Sequence, residues 1–189
     1  PHGIQLVTAP TVEPVTLERF KEHVGVPSSD TNNNGELRQC LLSAREFVEN
    51  YRDRQFVSAT WREAFDAFPR EFRPLKSPLT SVTTLTYTDT AGASQTVAAS
   101  TYVVDTYAEP GRITLAYGKA WPTPKYEANV VLLTYVAGYT KVPEAAKQAI
   151  LLLAAHWFDS PEPAVKGSIV SMIPFTVQAL LDSLDTGTW

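Results

Sequence analysis

The sequence predicts an α+β protein, mainly a helical bundle with an inserted antiparallel β region and a C-terminal helical tail. Three observations predict it. Leu37, Leu41, Ala44, Phe47, Val48 and Tyr51 recur at spacings of three and four, opposite Arg38, Arg45, Glu49 and Arg52, which is the period of an amphipathic helix. Ala145 to Phe158 is apolar nearly all round, as a helix buried on most sides requires. Between about residues 55 and 136 the period changes, and β-branched and aromatic residues separated by Pro, Gly and Asp take over.

Taken in order, the first helix is expected at about 16–23, with Thr16 as cap, Glu18 in the first turn and Val15 stapled onto Phe20. Pro27 to Gly35 is a run of turn formers with few apolar residues, an exposed loop. The second helix is expected at about 36–52. Trp61, Phe65 and Phe68 interleaved with polar residues favour a strand over a helix, while the prolines from Phe72 to Pro78 suit an edge strand or loop. Ser81 to Thr88 reads as a strand that turns at Asp89-Thr90-Ala91-Gly92 toward Thr96-Val97 and Tyr102-Val103-Val104. Ile113, Leu115 and Tyr117 alternate with Arg112, Thr114 and Ala116 as in a half-buried strand, and Val130 to Val136 is apolar on both faces, as in a central one. Gly138 supplies a permissive turn, and Pro143 fits the first turn of a third helix at about 143–158. Pro161 and Pro163 end it, leaving a tail at about 160–189 whose stripe of Phe175, Ala179, Leu180 and Leu184 can pack internally or dock elsewhere. The whole, residues 1–189, is expected to be one domain.

Composition narrows the function. A chain with 44% hydrophobic residues can bury a substantial core without covalent staples. Cys40 is the single cysteine, which excludes an intramolecular disulfide and any multi-thiolate metal site. No run approaches the ~20 apolar residues of a membrane span, so no membrane partner and a soluble chain are expected. The formal net charge of -4 disfavours nucleic-acid binding through a phosphate backbone, since that affinity comes from Lys and Arg displacing counterions.

Catalytic chemistry has little to stand on. His2, His23 and His156 lie far apart in sequence without a paired-ligand spacing, so no metal and no cofactor are expected. Cys40 sits on the amphipathic helix beside Leu41 and reads as a small hydrophobe rather than a nucleophile. No phosphate loop, dinucleotide fingerprint or nucleophile elbow occurs, and pairs such as Asp105 with Glu109 or Glu13 with Glu18 are what 20 acidic residues produce on a solvated face. No catalytic residue is assigned, and an enzyme is not expected. Among the four tryptophans, Trp157 reads as core, Trp121 as packed over a strand, and Trp189, at the end of the sequence, as an interface residue.

Four phrases follow in order along the chain: Leu75 to Val82 with its Pro78-Leu79-Thr80-Ser81-Val82, then Pro110-Gly111-Arg112-Ile113, then Val136-Ala137-Gly138-Tyr139, and an apolar helix ending His156-Trp157-Phe158. With Ile173-Pro174-Phe175 and Leu180-Leu181 behind them, this order resembles the head-tail connector (adaptor) proteins of tailed bacteriophages. The resemblance spans roughly residues 10 to 185. It implies a structural virion protein of the neck, assembled in the host cytoplasm as a homo-oligomeric, dodecameric ring beneath the portal protein. Such a ring joins the DNA-filled head to stopper or tail proteins and passes DNA through its lumen without sequence-specific binding. It further implies Ile173, Pro174, Phe175, Leu180 and Leu181, with Trp189, as contacts to the portal or a neighbouring subunit. The chain departs from the pattern in its Asn-rich loop at 31–34 and in having few basic residues after the last helix. A stopper or tail-terminator ring of the same neck region, and a monomeric phage binding module, remain open as alternatives.

Overall fold

The computed structural model describes residues 3–159 and 174–184. In chain order the elements are β1 (Gly3–Thr8), α1 (Leu17–Val24), α2 (Asn34–Tyr51), β2 (Ala59–Phe65), β3 (Glu71–Phe72), β4 (Leu79–Thr88), β5 (Ser94–Thr96), a short 3-10 turn (Ala99–Thr101), β6 (Tyr102–Asp105), β7 (Arg112–Leu115), β8 (Val131–Ala137), α3 (Glu144–Asp159) and α4 (Phe175–Ser183). They fall into two compact units: residues up to Thr11 with Asp53–Thr140, and Val12–Arg52 with the chain from Lys141 on.

The first unit corrects the expected fold class. The protein combines helices and strands, but it is not mainly a helical bundle: eight strands among the described residues form two antiparallel sheets. One sheet has five strands in the order β1-β2-β8-β4-β5, the other three in the order β3-β7-β6. The physical reason is that the β-rich stretch carries its own core. Phe72 and Ile113 of the small sheet and Leu85, Leu133 and Tyr135 of the large one are fully buried in a single apolar cluster, edged by Trp61, Phe65, Phe68 and Trp121. Each such side chain contributes roughly 1.5–3 kcal/mol by leaving water. Between 57 and 68 the alternating pattern is a strand, β2, and β8 is the central strand, paired along its length with both β2 and β4.

Two polar groups are placed inside this core. Glu63 lies on the buried face of β2, and its Oε1 accepts hydrogen bonds from the Tyr135 hydroxyl (2.5 Å) and the Leu75 backbone N–H (2.7 Å). The Tyr135 oxygen in turn accepts from the Lys76 N–H at 3.1 Å. Burial and the neighbouring Glu63 carboxylate push the Tyr135 hydroxyl far above the ordinary phenol range, so it stays protonated and donates. These bonds fasten the proline-broken segment before β4 to the middle of the sheet.

Three of the phrases singled out in the sequence meet at the start of β4. Pro78 accepts a backbone hydrogen bond from Gly138 (3.0 Å), and the Thr80 hydroxyl donates to the Gly138 carbonyl (2.9 Å). Gly138 has φ +142°, and a Cβ there would lie 2.7 Å from the Ser58 backbone. A Cβ on Gly111 would lie 2.5 Å from the Leu79 Cβ. Only glycine fits either place.

In the second unit α2 packs on α3, α1 touches both, and α4 lies against α3. Thr16 caps α1 through its hydroxyl, 3.2 Å from the Arg19 N–H, and Val15 and Phe20 are both buried. Phe47 meets Trp157 edge-on at 5.9 Å, and Phe20 meets Phe158 at 6.3 Å. The sequence pattern puts Arg45 and Glu49 on the solvent face of α2, but they are 4% and 5% exposed. Arg45 bonds Glu49 (2.6 Å) and Glu13 (2.8 Å), and although burial opposes its charge, these carboxylates hold its pKa above the usual value. A buried charge is tolerated here because it is paired on two sides.

Two stability outcomes follow. Tyr135→Phe removes the hydroxyl that donates to the Glu63 carboxylate and accepts from the Lys76 N–H inside the core, and is expected to destabilise the protein by about 2 kcal/mol in urea titrations. Gly138→Ala, strained by both φ and contact, is expected to cost about 2 kcal/mol or more in the same assay, whereas Gly92→Ala, whose Cβ meets open space, costs less.

Candidate assembly interfaces

Among the described residues, Cys40, His23 and His156 stand on three different helices. Cys40 is half-buried on α2, and burial, aided by Glu36, raises its thiol pKa, which keeps it protonated. His23 closes α1, and His156 lies in the last turn of α3. Among the described residues no group of three or more His, Cys, Asp or Glu side chains is arranged to hold a metal ion, and no helix is long and apolar enough to cross a membrane. The features that stand out are surfaces.

In the helical unit, α4 begins after Pro174, whose carbonyl accepts from the N–H groups of Val177 (2.8 Å) and Gln178 (3.1 Å). Its buried face is Val177, Leu181 and Leu184, at 0–2% exposure, so Leu181 belongs to the core of this unit. Leu180 and Pro174 are half-buried. Phe175 is 83% exposed and stands away from that face. Ile173 and Trp189 lie outside the described residues, as do 160–173 and 185–189 of the expected tail. Of the expected interface residues that are described, Phe175 is the one largely exposed to solvent. The offset explains the split: Phe175 is two residues from Val177 and six from Leu181, off the stripe that the i, i+4 spacing of 177 and 181 lays on α3.

The same unit carries an apolar groove of about 480 Å³ between the segment entering α1 and the first half of α2. Val12, Val15, Leu17, Leu41 and Leu42 line it, with Glu13, Thr16 and Arg38 at the polar positions. Its wall is fixed by the Thr16 cap and by the Glu13–Arg45 bond. Nothing in the sequence pattern marks this groove, because Val12 and Val15 precede the helix and meet Leu41 and Leu42 only in the packed unit.

The β unit presents aromatic residues instead. Tyr107, Tyr117 and Tyr126 are fully exposed, which is costly for rings with this much apolar surface. Tyr117 and Tyr126 flank a loop that is tied down rather than loose. Trp121 stacks on Phe68 at 5.0 Å, Pro124 bridges to Asp89, and the Lys125 N–H donates to the Thr88 carbonyl at 2.8 Å. Tyr107 sits in the loop between β6 and β7, which Asp105 secures by accepting from the Tyr107 N–H (3.0 Å) and from Arg112 (2.8 Å). Nearby, Arg54 donates to the Tyr139 oxygen (2.5 Å) and to the Glu109 carboxylate. Burial raises the Tyr139 pKa against the pull of Arg54. The sequence signals for these tyrosines were the turn residues beside them, Gly118 and Pro124 among them, which say where a loop is but not which ring it exposes. Finally, β1 is an edge strand exposed along its length, with Ile4, Leu6 and Val7 each more than a third exposed.

This arrangement has relatives. No curated protein matches the chain. Among solved structures the chain is similar to one from the neck of an empty gene transfer agent particle computed with sixfold symmetry: TM-score 0.76, 23% identity, covering 96% of this chain and 94% of that one. A chain from the virion of the native gene transfer agent particle matches with TM-score 0.74 at 23% identity, covering 95% and 93%. One from the native neck, computed with twelvefold symmetry, matches with TM-score 0.71 at 23% identity, covering 96% and 93%. Residues 13–164 match the family model described as head completion protein, a span that includes α1, α2, the whole of β2 to β8 and α3, and by that match the chain belongs to the head completion protein family.

Proposed function

We propose that this chain is a structural protein of the neck of a phage-like particle, where copies of it form a closed ring between the portal of the head and the tail. The observation that carries the reading is the likeness in fold, over nearly the full length of both chains, to chains of gene transfer agent necks computed with sixfold and twelvefold symmetry. Membership of a head completion family supports it independently. The twelvefold symmetry of one such neck favours a dodecamer.

The surfaces suit this work. A ring needs two different patches on each subunit that match each other, so that contacts run head to tail and close. Exposed aromatics on anchored loops give contact area at little entropic cost, because the loop is already ordered before the partner arrives. The portal above and stopper or tail proteins below are the partners of this proposal, and DNA is cargo that crosses the lumen. A net charge of -4 supports passage without adhesion.

Electron microscopy of the protein mixed with purified portal, with light scattering on each component alone, tests the reading. Ring density beneath the portal, sharing its symmetry, is expected; no association at micromolar concentration overturns the portal-adjacent placement. The ring is also expected to leave duplex DNA unshifted in gel mobility at ~0.15 M salt, and a tight shift that weakens steeply with added salt would overturn the cargo reading.

A further inference from the structure

The helical unit holds a knob and a hole that do not belong to each other within one subunit. Phe175, 83% exposed at the start of α4, is a large apolar ring in water. The groove of about 480 Å³ beside α1 and α2 has room for such a ring, and five of its lining residues are apolar. The two features sit on different elements, since α4 packs on α3 while the groove is built from α2 and the segment entering α1. We infer that Phe175 of one subunit seats in the α1–α2 groove of the next subunit around the ring, an inference that rests on the ring reading above.

Three observations select a second copy as the occupant. First, knob and groove are different patches of the same chain, the head-to-tail arrangement that repeats around a closed ring and not the self-matching patch of a twofold dimer. Second, charge fits: Pro174-Phe175-Thr176-Val177-Gln178 is uncharged, and the groove offers a Glu13 already engaged by Arg45 and, at its lining, an Arg38 of the residue type that stacks on aromatic faces. Third, both partners are held before they meet. Val177, Leu181 and Leu184 lock α4 onto its own unit, and the Thr16 cap and Glu13–Arg45 bond set the groove wall.

A disulfide trap tests the inference in the full chain assembled on portal. In a Cys40→Ser background, Phe175→Cys combined with Leu42→Cys is oxidised after assembly and run without reductant. A covalent ladder extending beyond the dimer is expected; a ladder that stops at the dimer, a bond within one chain, or no bond in rings seen by microscopy overturns it. Phe175→Ala in the otherwise unaltered protein provides a second reading. Because the side chain is exposed, thermal unfolding of the subunit should stay unchanged while the concentration needed to form rings rises roughly tenfold or more, as for an aromatic anchor. Unchanged ring formation overturns the inference and leaves the ring reading intact. If the unaltered protein forms no ring on portal, both fall together.

Discussion

The β unit depends on a close meeting of backbones at the start of β4. Gly138 must donate its N–H to the Pro78 carbonyl on one side and lie against Ser58 on the other, while Gly111 lies against Leu79. Side chains at those two positions would push β4, β7 and β8 apart. Once the three segments are in contact, the register of β8 with β2 and β4 is set, because a slip of one residue would turn Leu133 and Tyr135 away from the apolar cluster and put Leu132 and Thr134 in their place. The Glu63–Tyr135 bonds then act as a second lock, since a carboxylate buried on a core face is tolerable only in the register that supplies its donors.

That rigidity explains how the surface can carry exposed rings. Tyr117 and Tyr126 flank a loop held by the Trp121–Phe68 stack and by backbone bonds to β4. Phe175 stands on a helix fastened by three buried side chains. A groove walled by α1 and α2 is kept open by an ion pair and a helix cap, not by a loose loop. On the described residues, specificity for a partner would then lie in the shape of ordered surfaces.

Several elements were legible in the sequence for identifiable reasons. Helix α2 shows a 3/4 period strong enough to read directly, and Thr16, Glu18 and Val15 mark the start of α1 by local chemistry that needs no distant partner. The apolar run of β8 marks a strand flanked on both sides. By contrast β1 was not read at all: Gly-Ile-Gln-Leu-Val-Thr is short and becomes a strand only by pairing with β2, more than fifty residues away. The weight given to helices was too great for a related reason, because alternating residues in short segments do not announce that two sheets will close over one another. Arg45 and Glu49 were legible as polar but not as buried, since their burial depends on Glu13 arriving from before α1.

The sequence by itself determined much of the local grammar: most of the segments that are helical or extended, where glycine and proline end them, and the ordered phrases that resemble a connector. Only the tertiary structure decided which of those phrases touch, which apolar residues of the tail are core and which stand in water, and that a groove exists at all. The physical reason is distance along the chain. Helix periods, caps and turns are set by neighbours within a few residues, whereas the core shared by the two sheets, the buried Arg45 and the separation of Leu181 from Phe175 are set by contacts between segments the sequence keeps far apart.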